Sequence, residues 1–162
     1  METLDKFDIA ILQELQSDGR LSNAELATRV GLSAAPCWRR VRALEEAGFI
    51  TGYCARINRQ LVGLGVLAFV RLDADRNNGF VAKELEVAIA QVPQIVSCHY
   101  ISGTGTFELQ VVTTDLNAFA TLARDVLLNL PHVKDLQTSF SLGEVKTSDA
   151  LPLGHLPVKG KR

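Results

Sequence analysis

The chain is poor in the residues that covalent and metal-built scaffolds need. It has three cysteines, Cys37, Cys54 and Cys98, an odd number at wide spacings that makes neither a disulfide framework nor a zinc knuckle. They read as reduced, mostly buried small side chains. His99, His132 and His155 are scattered, and none stands at metal-ligand spacing from another histidine, a cysteine or a carboxylate. His99 falls in an alternating stretch and reads as a packed or interface residue. No apolar run approaches the roughly 20 residues of a membrane-spanning helix. The opening METLDKFD lacks the basic and apolar regions of a signal peptide. These absences predict a cytoplasmic protein with no metal site, no resident cofactor and no membrane contact. Gly103-Thr104-Gly105 lacks the third glycine of a dinucleotide fingerprint and precedes a strand pattern, and no lysine completes a phosphate loop. Without a nucleophile or an acid–base pair, no catalytic residues and no enzyme activity are expected.

A basic balance is missing too, since the net charge is -1 and a nucleic-acid binder usually shows an excess of positive charge. Distribution overrides the sum. Arg20, Arg29, Arg39, Arg40 and Arg42 face a single acid, Glu25, between positions 20 and 42, whereas residues 61–162 are close to balanced. With 47% hydrophobic and 22% charged residues, the composition is that of a soluble globular protein, and 162 residues suffice for two small domains.

Leu4, Phe7, Ile11, Leu12 and Leu15 recur at helical spacing behind Thr3 or Asp5 as cap, and the pattern stops at Ser17-Asp18-Gly19. Ser22-Asn23-Ala24-Glu25 is a capping box that opens a second helix running to Val30. Gly31-Leu32-Ser33 supplies a glycine able to turn left-handed, an apolar anchor and a new N-cap, so a third helix follows within about three residues. So tight a turn forces the two helices to cross steeply. The third helix, 34–47, puts Cys37, Val41 and Leu44 on a core stripe. Ala35, Trp38, Arg39 and Arg42 lie on an outward stripe, with Arg40 on the flank. Small residues at its start, arginines in its middle and Glu45-Glu46 at its end suit entry into a major groove by the N-terminus. Phe49-Ile50-Thr51-Gly52-Tyr53 then reads as a short wing strand. Three arginines can be a merely solvated face, but the capped helix, the glycine turn and the wing beside them favour DNA. Trp38 has two readings, outward on the arginine stripe or packed into the core edge.

Residues 55–65 have mixed polarity and two glycines, as a linker does. A strand at 66–72 follows, then a helix with Val81, Leu85, Ala88, Ile89 and Val92 in its stripe, and a strand at 95–101. A hairpin turn at Gly103, Thr104, Gly105 and Thr106 leads to a strand at 107–113. The second helix of this half, marked by Leu116, Phe119, Leu122, Ala123, Val126, Leu127 and Leu130, is closed by Pro131. A last strand puts Leu136, Thr138, Phe140 and Leu142 on one face. Strand, helix, strand, strand, helix, strand is the ferredoxin-like split unit. Its helices cover one face of the sheet, yet the strands carry apolar residues on both, so a second copy is expected over the other. The predicted fold class is α+β: a winged helix-turn-helix domain (1–54), a linker (55–65), a ferredoxin-like βαββαβ sensing and oligomerisation domain (66–147), and a C-terminal extension (148–162) whose end is disordered.

The stretch LSNAELATRVGLS at 21–33, the PCWRRV start of the third helix at 36–41 and the GFITGY wing at 48–53 resemble the Lrp/AsnC family, also called feast/famine regulators. The resemblance extends over nearly the whole chain, to Val145-Lys146-Thr147 and Leu151-Pro152-Leu153. It implies a transcription regulator in which a winged helix-turn-helix is joined to an amino-acid-sensing domain. It further implies homodimers paired through their sheets, assembling to tetramers or octamers, and DNA binding tuned by an amino acid. In that family the effector lies between sensing domains near the hairpin after the second strand, where a glycine is commonly followed by an acid, an aromatic and another acid. The matching positions here are Gly103, Thr104, Gly105 and Thr106, and both acids are missing. A threonine offers only neutral hydrogen bonds, roughly half as strong as charge-assisted ones. Either the effector is not the usual zwitterion, or its ammonium is held elsewhere, or the site is silent.

The candidate DNA-binding residues are Arg20, Ser22, Ser33, Ala35, Trp38, Arg39, Arg40 and Arg42. Arg39 and Arg42 are expected to reach base edges or phosphates, Arg40 and Arg20 to grip the backbone, and Ser33 to cap the recognition helix. Double-stranded DNA with a pseudo-palindromic operator is the expected partner. The candidate effector-binding residues are Tyr100, Ser102, Gly103, Thr104, Thr106, Thr138 and Ser139, whose alternative role is hairpin geometry and strand pairing. The competing function is an amino-acid sensor or assembly protein with no DNA role, against which the intact segment 22–42 argues.

Overall fold

The structure, a computed structural model, describes residues 4–74, 79–102, 107–146 and 150–156. The hairpin positions 103–106 and the tail from 157 lie outside the described residues. Two compact units emerge, one within Met1–Arg56 and Lys146–Arg162, the other within Ile57–Val145.

The first unit holds three helices: α1 (Lys6–Ser17), α2 (Asn23–Val30) and α3 (Ala34–Glu46). Asp5 caps α1, accepting from the amides of Phe7 and Asp8, while the Asp8 carboxylate accepts from the amide of Asp5. Ser22 and Glu25 form the expected reciprocal box at α2. Gly31, at φ 70°, ends α2, and the amide of Leu32 donates to the carbonyl of Ala27 at 2.9 Å. Only a residue tolerant of the left-handed region turns the chain here, and that turn makes the α2–α3 junction short. Ile11, Leu26, Ala27, Cys37 and Leu44 form the buried core, so Ile11 and Cys37, both fully buried, set how the helices cross. The segment after α3 is not the expected wing strand. Among the described residues 49–53 have no strand partner, and the amides of Phe49 and Ile50 both donate to the carbonyl of Leu44, at 2.9 and 3.2 Å. The donors a strand would spend on a neighbour are spent on closing the helix.

The second unit runs β1 (Val66–Ala74), α4 (Gly79–Ala90), β2 (Ile95–Tyr100), β3 (Phe107–Thr113), α5 (Leu116–Asp125), a 3₁₀ turn (Leu127–Asn129) and β4 (Val133–Phe140). The antiparallel sheet has the order β2-β3-β1-β4, the ferredoxin-like arrangement. Ala68, Val70, Leu72 and Ala74 face the helices together with Phe107, Leu109 and Val111, and pack against Leu85, Ile89, Phe119 and Leu122. Residues expected as linker are tied into this unit as a turn. The Asn58 carboxamide oxygen accepts from the amides of Gln60 and Leu61, and Arg59 donates to the carbonyls of Leu64 and Gly65.

Register corrects the expectation of a second apolar face. Phe69 lies between Gln110 and Ser139, and Arg71 between Glu108 and Gln137, with Arg71 and Glu108 paired at 2.9 Å. Among the described residues, the face away from the helices therefore carries Arg71, Glu108, Gln110, Gln137 and Ser139 beside the apolar Leu67, Phe69 and Val112. The last helix is also shorter than its leucine pattern predicts, because Val126 leaves the helical region at φ -122°. The Asn129 carboxamide caps the carbonyls of Arg124 and Asp125, and the 3₁₀ turn lets Leu127 and Leu130 both enter the core.

Candidate nucleic-acid interface and ligand region

The sequence-predicted DNA contacts separate into those available to a partner and those already engaged. Ala35, Trp38, Arg39 and Arg42 are exposed along α3, and Trp38 keeps 55% of its surface, which settles it on the outward stripe. Arg39 has no side-chain partner among the described residues, and neither does the exposed side chain of Arg20 at the foot of α2. Arg42 lies over the Trp38 ring, 5.8 Å from its centroid, with Glu45 3.5 Å away.

Arg40 is placed elsewhere. It pairs with Asp5 at 2.8 Å and Asp8 at 2.7 Å and covers the ring of Phe7. Partial burial works against its charge, but the carboxylates of Asp8 and Asp5 more than offset this and raise its pKa. Its fork is matched to two carboxylates, and moving it to a phosphate would leave both acids unpaired. The Ser22 hydroxyl is likewise occupied, donating to Glu25 at 2.7 Å and accepting from its amide. Ser33 sits at the N-cap of α3 in extended conformation, yet its side chain makes no capping bond, contrary to expectation.

Three contributors escaped sequence reasoning. The Asn23 carboxamide donates to the carbonyl of Ala34 at 2.8 Å, fixing the start of the recognition helix to α2. An amide side chain immediately after an N-cap was the only signal. Arg29 pairs with Glu14 at 3.0 Å, removing one arginine from the apparent basic cluster. Glu45 accepts from the Tyr53 hydroxyl at 3.1 Å, beside a cleft of about 520 Å³ whose lining includes Leu21, Trp38, Val41, Arg42, Glu45 and Tyr53. Burial, then the nearby Glu45 carboxylate, raises the pKa of Tyr53 and keeps the phenol a donor.

Among the described residues, the ligand candidates are not brought together within one chain. Tyr100 ends β2 and Ser102 lies just past it, whereas Thr138 and Ser139 are on β4, the opposite outer strand. Two strands intervene, so roughly 14 Å of sheet separates the groups at ordinary strand spacing. Tyr100 packs edge-on against Phe107, 5.3 Å between ring centroids. Thr138 pairs in register with Val70 on the helix-covered face, its hydroxyl buried without a hydrogen bond among the described residues, while Ser139 pairs with Phe69 and faces the other way. Gly103, Thr104 and Thr106 lie outside the described residues. His99 is exposed, with its ring nitrogen 2.9 Å from the Ser97 hydroxyl. Among the described residues no cluster of His, Cys, Asp or Glu could hold a metal ion, and no helix is long and apolar enough to cross a membrane.

A trihelical head with Arg39 and Arg42 exposed on its last helix, in one chain with a ferredoxin-like domain, defines a helix-turn-helix DNA-binding protein carrying a separate regulatory half. Comparison with known proteins agrees. Residues 4–51 match the winged helix-turn-helix DNA-binding family, and residues 67–151 match the Lrp/AsnC ligand binding domain. The leucine-responsive regulatory protein of Escherichia coli K12 is 41% identical over 148 residues, covering 91% of this chain and 90% of that protein. A transcriptional regulator of Neisseria meningitidis, solved as a complex with L-Met, superposes with a TM-score of 0.91 at 42% identity, covering 96% of this chain and all of that one. An AsnC family regulator from Agrobacterium tumefaciens gives a TM-score of 0.87 at 30% identity over 93% of this chain and 97% of its own. The chain belongs to the Lrp/AsnC family of transcription regulators. It is a DNA-binding transcription regulator with a ligand-binding regulatory domain.

Proposed function

We propose that Arg39 and Arg42 of α3 carry DNA binding, with Ala35 and Trp38 against the groove and Arg20 on the backbone, while Arg40 positions α3 instead of touching DNA. The observation that carries this is the division among the arginines of the head. Arg40 and Arg29 pair with carboxylates of α1 and its cap, and Arg39, exposed, has no side-chain partner among the described residues. Changing both Arg39 and Arg42 to alanine should abolish operator binding. It should also flatten the salt dependence of duplex binding, by about 0.9 log unit for each phosphate the protein no longer neutralises. Thermal stability and assembly should be unchanged. A dissociated oligomer in that variant would contradict this division of labour.

The second half of the proposal is that an amino acid, or a related metabolite, binds between copies of the regulatory domain and changes DNA affinity. Separation of Tyr100 and Ser102 from Thr138 and Ser139 favours a site completed by another chain, and the L-Met complex of the Neisseria meningitidis relative makes methionine the first candidate. A homodimer, itself the unit of a tetramer or octamer, would read two half-sites about one helical turn apart. The protein acts in the cytoplasm, without enzyme activity. An amino-acid sensor with no DNA role would lack the salt-dependent duplex binding.

A further inference from the structure

Arg42 differs from Arg39 in being partly restrained, and the carboxylate that restrains it, Glu45, and the hydroxyl that holds it, Tyr53, have no other assigned task. Arg42 Nη1 lies 3.5 Å from Glu45 Oε2, one turn along α3, and its guanidinium lies over Trp38. The other oxygen of the same carboxylate, Oε1, accepts from the Tyr53 hydroxyl at 3.1 Å. Glu45 is the more buried partner, its side chain 28% exposed against 57% for Arg42. A carboxylate anchored on one oxygen and open on the other is a fixed point for a mobile cation.

We infer that Glu45, held by Tyr53, is a positioning residue that draws Arg42 back along α3 and so lowers the affinity for DNA. The inference rests on the reading of Arg42 as a DNA contact. An exposed ion pair this long is weak, so DNA phosphate competes with it successfully and the effect is a tuning of affinity, not a block. The carboxylate also repels phosphate wherever it points. Only an effect transmitted through Arg42 belongs to the restraint, and this separates the two causes.

The test is a double-variant cycle on the full-length protein, with affinity for a random-sequence duplex read at fixed salt and thermal melts run beside it. Glu45→Gln keeps an acceptor for Tyr53 and removes the charge. It should tighten binding by up to about fivefold, the range a surface ion pair allows. In an Arg42→Ala background the same change should give little or no gain. Tyr53→Phe, which removes only the anchoring hydroxyl, should move affinity in the same direction by a smaller factor. An equal gain from Glu45→Gln in both backgrounds assigns the effect to general repulsion and overturns the inference. So does no gain at all, or weaker binding by Tyr53→Phe with an unchanged melt. Wild-type affinity in Arg42→Ala alone would instead remove the reading of Arg42 on which the inference rests.

Discussion

Asp5 shows how much one carboxylate near the chain start decides. It caps α1 through two amides and supplies half of the site that holds Arg40, thereby fixing α3. Partial burial pulls its pKa upward, but the amides of Asp8 and Phe7 together with Arg40 outweigh this and leave it below the ordinary carboxylate value. A lowered pKa means that Asp5 stabilises the fold above its unfolded value of about 3.9, and that this stability is lost as pH falls through the lower folded value. Asp5→Ala should cost about 1 kcal/mol for the cap at neutral pH, with a further loss from leaving Arg40 one partner short. Asp5→Asn, which still caps, should flatten the acid side of the stability profile, as thermal melts from about pH 3 to 6 would record. An unaltered acid limb would show that this carboxylate is not the titrating group. The caps at Ser22 and Asp5 were legible because a cap and its amide are neighbours in sequence. The ties of Arg40 and Arg29 were not, because Asp5, Asp8 and Glu14 reach them only once three helices cross.

Among the elements, the turn between α2 and α3 is where local chemistry has the firmest hold. At φ 70° Gly31 has open space around the position a Cβ would take, so substitution meets strain in the backbone alone. Gly31→Ala should therefore lower stability by about 1–2 kcal/mol without disturbing the core, measurable as a lower midpoint in thermal unfolding. A neutral result would mean that the turn relaxes. Element type and order were readable throughout the second unit from apolar periodicity. Two ends were not. The leucine pattern through Leu130 keeps the appearance of one helix while the Asn129 side chain, reaching back to the carbonyl of Arg124, ends it early. The aromatic segment after Gly48 has strand composition, but composition cannot supply a neighbouring strand, and Phe49 and Ile50 turn their amides back to Leu44.

For the whole molecule, the sequence pattern carried the order of elements, and so the sheet order β2-β3-β1-β4, and the shared face of Leu136, Thr138 and Phe140, but not how polar the uncovered face is across the strands. β1 alone looks apolar on both sides, and only its register against Gln110, Ser139 and Gln137 shows how polar the uncovered face is. The same register puts Thr138 under the helices and Ser139 on the open side. An effector site using both edges of the sheet must span two chains, so binding and assembly should be linked. A variant held monomeric should lose the effector-induced rise in melting temperature, which for a ligand at about a hundred times its dissociation constant corresponds to about 2.7 kcal/mol. The decisive measurement is the affinity of the wild-type protein for duplex DNA, with and without saturating L-methionine and then with each other standard amino acid. A regulator of this kind should show salt-dependent binding that one effector shifts by roughly 5- to 150-fold, with the reciprocal shift in effector affinity on DNA; binding that no amino acid alters would contradict it.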